Sequence, residues 1–164
     1  MRRPHIKKYS IALITTVLAL SLTACSGAGP DAATRLIKRV TDGAEVTLKD
    51  NGANLSVSNL LLVATEDGSA VVVGTFVNYA EEKDSLIGLS VNGVPAVITG
   101  ATDLKLNQPL RFEGDSATSK GVFSGVGAVP GVNVPLTLTF DRAGEVTTTV
   151  IVRDQRDAYA NVTK

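Results

Sequence analysis

The chain has 164 residues, enough for one domain and cramped for two, with 16 basic and 16 acidic side chains and 44% hydrophobic residues. That composition excludes a disordered polymer. One cysteine excludes an intramolecular disulfide. The sole histidine, His5, and sole methionine, Met1, lie at the extreme N-terminus, so the rest of the chain lacks the usual side chains of base catalysis and soft-metal binding.

Residues 1–10 carry Arg2, Arg3, Lys7 and Lys8 and no acid. An uncharged run follows from Ile11 to Ala24, with its apolar heart in Ile11–Leu22. It falls short of the ~20 residues of a membrane-spanning helix and has the length of a signal-peptide core. It closes with Leu22-Thr23-Ala24-Cys25, which resembles a bacterial lipobox. The resemblance implies a diacylglyceryl group on the Cys25 thiol and cleavage between Ala24 and Cys25. Residues 1–24 are then a lipoprotein signal peptide. The mature protein is expected on the extracytoplasmic face of the cell membrane, lipid-anchored, because two acyl chains hold a protein where one is marginal. Cleavage removes four basic residues of sixteen, leaving 12 against 16 acids, a net of −4. With no basic stretch interleaved with aromatics, nucleic-acid binding is not expected.

Residues 25–43 read as the lipidated N-terminus and a tether. Ser26 to Thr34 is Gly-, Pro- and Ala-rich without periodicity. Residues 32–40 suit either a short helix, with Leu36, Ile37 and Val40 on one side, or a partly ordered spacer.

From Glu45 onward the pattern is β. Val46-Thr47-Leu48 alternates; Leu55 to Leu60 alternates and then runs apolar to Val63. Glu66-Asp67-Gly68-Ser69 is a turn cluster, and Ala70 to Val77 is too β-branched to prefer helix. Glu81-Glu82-Lys83-Asp84 reads as a solvated charged loop. Ser85 to Val91 and Val94 to Thr99 flank Asn92-Gly93, a type I′ hairpin signal. Short extended pieces follow at 104–106 and 110–112, then a Gly-rich strand from Lys120 to Val126. Val134 to Phe140 and Val146 to Val152 pair across an Asp141–Gly144 turn. Pro135 marks an edge strand or a strand beginning. Eight or nine short strands and no long helix predict an all-β sandwich over residues 44–153 with an aliphatic core. Residues 154–164 form a polar tail, expected to fray.

Three features stand out together: Asn78, the segment Asp84-Ser85-Leu86-Ile87-Gly88-Leu89-Ser90, and the hairpin Gly131-Val132-Asn133-Val134-Pro135-Leu136-Thr137-Leu138-Thr139-Phe140-Asp141-Arg142-Ala143-Gly144-Glu145-Val146. In these the chain resembles the PCuAC family of periplasmic copper chaperones, and within it an actinobacterial lipoprotein branch of the LpqE type. The likeness spans most of residues 54–152 and implies a cupredoxin-like or immunoglobulin-like sandwich. It also implies where copper ligands, two His and two Met, would stand. One His position falls near Gly100. A second His and a Met fall on Lys120 and Val122, in Lys120-Gly121-Val122-Phe123-Ser124-Gly125-Val126. None of the three is a ligand, and a lysine repels a cation. No metal and no cofactor are expected.

Other chemistry is also poorly supplied. A Ser119-Lys120 pair would point to opposite faces of a strand. Glu66-Asp67-Gly68-Ser69 is too short for a calcium loop, and the glycines at 121, 125, 127 and 131 lack the Lys-Ser/Thr and helix of a phosphate cradle. The chain is not expected to be an enzyme. The leading expectation is a protein-interaction or envelope-associated module with an envelope protein as partner, its loops at 81–85 and 113–118 being the contact surfaces. The alternative is a metal-handling lipoprotein with a non-standard or partner-shared site. A third possibility is carriage of a small ligand in an aliphatic cavity between the sheets.

Overall fold

Alternating Val, Leu and Thr residues with frequent turn punctuation produce strands throughout the region that the computed structural model describes, residues 41–50 and 52–164. The expected signal segment 1–24, Cys25 and the stretch 32–40, read as a short helix or a spacer, lie outside the described residues. Eleven strands form among the described residues. They are β1 (Ala44–Leu48), β2 (Leu55–Ala64), β3 (Ala70–Asn78), β4 (Asp84–Val91), β5 (Val94–Pro95), β6 (Val97–Gly100), β7 (Asp103–Leu104), β8 (Leu110–Phe112), β9 (Ser119–Phe123), β10 (Asn133–Phe140) and β11 (Gly144–Arg153). Two of these, β5 and β7, are only two residues long.

The strands follow one hydrogen-bonded path, β5-β4-β10-β11-β2-β3-β8-β9-β6, with β1 added on β2 and β7 on β4. The path folds into two layers. One joint is a short parallel contact, Val152 opposite Leu62 and Arg153 opposite Val63. At the other side the chain crosses from β5 to β6 through Ala96 alone, so the sandwich is nearly closed. Closure leaves little free edge for another strand to pair with.

The core lies between the layers. Leu86, Leu89, Leu136, Leu138 and Val150 from one layer meet Val57, Leu60, Leu62, Val72 and Phe76 from the other. The core is aliphatic in number, but the four Phe occupy its middle: all are buried. The Phe76 ring lies 5.3 Å from that of Phe112 and 6.4 Å from that of Phe140, both tilted, a favoured aromatic geometry.

β2 explains why alternation gives way to a continuous apolar run. The ladder to β3 shifts register between Ser58 and Leu61, and Asn59 takes a φ of 52°. A one-residue bulge reverses which face each later side chain points to. Leu55 and Val57 face the core before it; Leu60, Leu62 and Ala64 face the core after it. Leu61 and Val63 therefore point outward, where they pack with Val71, Val73, Val122 and Ile151.

That outer cluster is covered by the C-terminal tail, which is docked where fraying was expected. Val162 is buried in the cluster and Tyr159 packs beside it. The Gln155 side chain donates to the Val162 carbonyl at 2.6 Å. A polar composition hid one apolar anchor in the right place.

One strand ends earlier than the sequence reading expects. β9 stops at Phe123 rather than Val126, because Gly125 and Gly127 take φ values of 63° and 65° that break the ladder. Of the two placements expected for Pro135, the structure shows the strand beginning and not the edge: β10 is interior to its layer, but the ladder to β4 begins only at Leu136, and Pro135 has no bond to lose on that side. Asn92 and Gly93 both have positive φ, as a type I′ turn requires.

Candidate functional site

Of the three positions where the resemblance implied copper ligands, Gly100 and Lys120 are brought together and Val122 packs elsewhere on the same strand; none is built for metal. β6 and β9 pair with Thr99 opposite Lys120 and Gly100 opposite Ser119. Within β9 Ser119, Gly121 and Phe123 are on the buried inner face, so the side chains of Lys120 and Val122 face outward. Gly100 and Lys120 thus line one open depression of about 460 Å³, together with Glu113 and Thr118.

Gly100 is a glycine for backbone reasons. Its φ is +89°, a region that side-chain-bearing residues rarely adopt. A Cβ built there would run into the Thr118 carbonyl oxygen and approach Ser119 Cα to 3.0 Å. A histidine at this position would need the backbone of the neighbouring strand to move.

Lys120 fills its surroundings with its own positive charge. Its Nζ lies 3.4 Å from Glu113 Oε1, with the Glu113 side chain 12% exposed and that of Lys120 32%. It also donates to the Thr163 carbonyl at 2.6 Å. The ammonium joins the β8–β9 loop to the C-terminal tail. Val122, two residues along the same face, packs into the apolar cluster with Val162. The donor set therefore does not suit a copper ion: one position is a sterically required glycine, one is an ion-paired ammonium, and one is an aliphatic side chain. Among the described residues, no group of three or more His, Cys, Asp or Glu could hold a metal.

Sequence reasoning missed Glu113 and Thr163, the partners of Lys120. Neither has a local signal; they meet it only through the β8–β9 geometry and the docked tail. It also misread Asp84 as part of a solvated charge run. Asp84 is 4% exposed. Its Oδ1 accepts from the Ser85 N–H at 2.7 Å and the Arg142 N–H at 2.9 Å, and its Oδ2 from the Ala143 N–H at 3.0 Å. Asn78 is buried too. Its Nδ2 donates to the Glu82 and Leu104 carbonyls at 2.8 and 2.9 Å, and its Oδ1 accepts from the Ala80 N–H at 2.8 Å. Asn78 and Asp84, both among the residues that carry the resemblance, are thus clamps that tie loop 79–83 and turn 141–143 to the sandwich, each with its polar atoms satisfied.

The other candidates separate cleanly. The Ser119 hydroxyl donates to the Ala101 carbonyl on the inner face, away from the Lys120 ammonium. Glu81, Glu82 and Lys83 are exposed, and Arg142 pairs with Glu82. Asp67 accepts from Lys164, Thr65 and Ser69, and the Lys164 ammonium holds its carboxyl well below the usual carboxylate range. Tyr159 donates to Asp42 at 3.3 Å; burial, then the Asp42 charge, pushes its hydroxyl above the ordinary tyrosine value. Among the described residues an apolar crevice of about 120 Å³ is lined by Leu62, Val91, Val126, Val132, Val134 and Val152. That is below the roughly 300 Å³ at which small-molecule sites begin, and gives no support to carriage of a small ligand. A larger groove of about 950 Å³, between the 64–67 turn and the tail, is open and bordered by Glu66, Asp67, Asp154, Arg156 and Lys164.

No protein-family model matches the chain, and no curated protein matches it. Solved structures do. The copper-bound PCuAC domain from PmoF2 is 20% identical, with a TM-score of 0.56, over 68% of this chain and 98% of that domain. The apo PCuAC domain from PmoF1 is 22% identical, with a TM-score of 0.55, over 68% of this chain and 99% of that domain. The apo PmoF2 PCuAC domain gives 19% identity and a TM-score of 0.57 over 70% of this chain and 98% of that one. At these identities the likeness establishes the fold. The chain has a PCuAC-like β-sandwich, of the cupredoxin-like or immunoglobulin-like kind, without an assembled metal site among the described residues.

Proposed function

We propose that the chain is a membrane-anchored extracytoplasmic lipoprotein, held by a diacylglyceryl group on Cys25, whose PCuAC-like sandwich is non-catalytic and works as a protein-interaction or envelope-associated module. One observation supports this most. The face that would carry metal chemistry in this fold is occupied by the Lys120–Glu113 ion pair and sealed by Thr163 of the tail. A fold kept with its site filled from within is suited to presenting surface. The lipobox-like Leu22-Thr23-Ala24-Cys25 supports the anchor. The exposed loops at 81–83 and 115–118 are available for contact.

The experiment has two parts. Cys25→Ala should move the protein from the membrane pellet to the soluble fraction, and persistence in carbonate-washed membranes would refute the anchor. Crosslinking in intact cells, with a photoreactive group at position 83 or 115, should recover one specific neighbour; a smear of abundant proteins would refute the interaction role.

A second reading draws on the likeness to a copper-bound domain. In it the chain handles copper or another metal through a non-standard or partner-shared site. Titration of the protein with Cu(I) against a chromophoric chelator separates the two. Submicromolar competition favours metal handling, and none favours the module.

A further inference from the structure

The chain joins the sandwich at one end, and that end carries its least charged loop. β1 runs antiparallel to β2 with Ala44 opposite Leu60, so Thr41–Gly43 point toward the Ala64 end of β2. Asp42 is accordingly 3.7 Å from Arg153, the residue opposite Val63. Loop 124–132 is pinned at the same end. The Gly127 and Ala128 N–H groups donate to the Gly68 carbonyl at 3.1 and 3.3 Å, and the Val152 N–H donates to the Val132 carbonyl at 2.9 Å.

No charged residue occurs from Gly121 to Phe140. The charges of this end lie beside the loop on turn 65–69 and the tail, where Asp67 pairs with Lys164 and Asp154 with Arg156. The loops of the far end hold Glu81, Glu82, Lys83, Asp141 and Arg142. Within the uncharged loop Val129 is 58% exposed and Val132 46% exposed. Both border the small apolar crevice, and the Asn92 turn beside them is uncharged as well. Exposed valines grouped on a charge-free Gly/Pro loop are suited to an apolar surface with no charges to match. Residues 26–40, which join Cys25 to Thr41, reach at most ~55 Å even fully stretched. The end where they join is therefore the part of the domain held on the shortest leash.

We infer that loop 124–132 docks on the bilayer that holds the Cys25 acyl chains, with Val129 and Val132 entering the lipid interface. This rests on the anchor reading above. The neighbouring basic residues are already engaged, Arg153 with Asp42, Arg156 with Asp154 and Lys164 with Asp67. The docking is thus apolar and indifferent to anionic lipid.

The test uses the full lipidated protein in phosphatidylcholine vesicles. Ser124→Cys in this loop and Lys83→Cys at the far end each accept an environment-sensitive fluorophore, since the Cys25 thioether cannot. Nitroxide-labelled lipid should quench the label at 124 several-fold more than that at 83. Val129→Asp should reduce the difference to near zero while the protein still pellets with the vesicles. Replacing a quarter of the lipid with phosphatidylserine should change neither value. Equal quenching at 124 and 83 in pelleting protein would overturn the docking alone, as would quenching that appears only with phosphatidylserine. A protein that stays in solution and also takes label at Cys25 would overturn the anchor and the docking together.

Discussion

Replacing Lys120 with Met is the sharpest probe of the filled site. Met keeps most of the length and apolar stem while removing the charge. At 3.4 Å and an effective dielectric of ~20, the attraction between Lys120 and Glu113 is about 5 kcal/mol gross. Desolvation of both groups offsets most of it, and the Lys120 side chain is still 32% exposed. The loss exceeds that of a surface pair, because Glu113 stays behind at 12% exposure without its cation, and the Thr163 carbonyl loses its donor. The net cost comes to about 1–2 kcal/mol, or roughly 5 °C in Tm for a domain of this size. Urea unfolding of the wild type, Lys120→Met, Glu113→Gln and the double variant measures the coupling directly. The double variant should be more stable than Lys120→Met, because it leaves no unpaired carboxylate. Additive effects in the four-way comparison would refute the ion pair as the occupant of this face.

Four further outcomes follow from the same geometry. Gly100→His should cost about 3 kcal/mol, from the positive φ and the collision with Thr118, and should not create a copper site; a stable variant that binds Cu(I) would show the backbone gives way. Asp84→Asn should lower the urea midpoint by the equivalent of about 2–4 kcal/mol, since an amide offers one acceptor oxygen where the two carboxylate oxygens take three N–H donors. Val162→Ala should cost about 1–2 kcal/mol and raise hydrogen exchange of the tail amides, with unchanged exchange refuting the docked tail. Tyr159 has a folded-state pKa above its unfolded value, so the folded state holds its proton longer. Its stabilising contribution is complete below about pH 10 and is lost as pH rises through the folded value; Tyr159→Phe should flatten the fall in Tm above pH 10.

Strands were legible in the sequence wherever alternation was clean or a turn was chemically marked. Val134 to Phe140, the Asn92-Gly93 turn and the Val-rich β3 each state their own conformation. Illegible features depend on partners distant in sequence. Asp84 looks like one more acid after Glu81 and Glu82, and becomes a clamp only when Arg142 and Ala143 arrive from fifty-eight and fifty-nine positions away. The polar tail looks free because its single anchor, Val162, needs the outward face that the Asn59 bulge creates. The candidate ligand positions are a mixed case. That no His or Met follows His5 could be counted, but the reason Gly100 cannot accept a side chain lies in a backbone angle.

The bulge, the tail and the lysine belong to one causal sequence. Asn59 reverses the facing of β2 and so turns Leu61 and Val63 to the outside. An exposed Leu–Val stripe on a closed sandwich costs solubility unless it is covered. Val162 covers it, and covering it brings Thr163 over β9, within reach of the Lys120 ammonium. Once the tail is there, a cation arriving from solvent at this face would have to displace the Lys120 ammonium from both the Glu113 carboxylate and the Thr163 carbonyl. Deleting residues 157–164 therefore separates two ways in which this face can exclude a copper ion. If the truncated sandwich still fails to compete for Cu(I), the lysine and glycine suffice; if it now competes, the tail was the barrier and the donors lie beneath it.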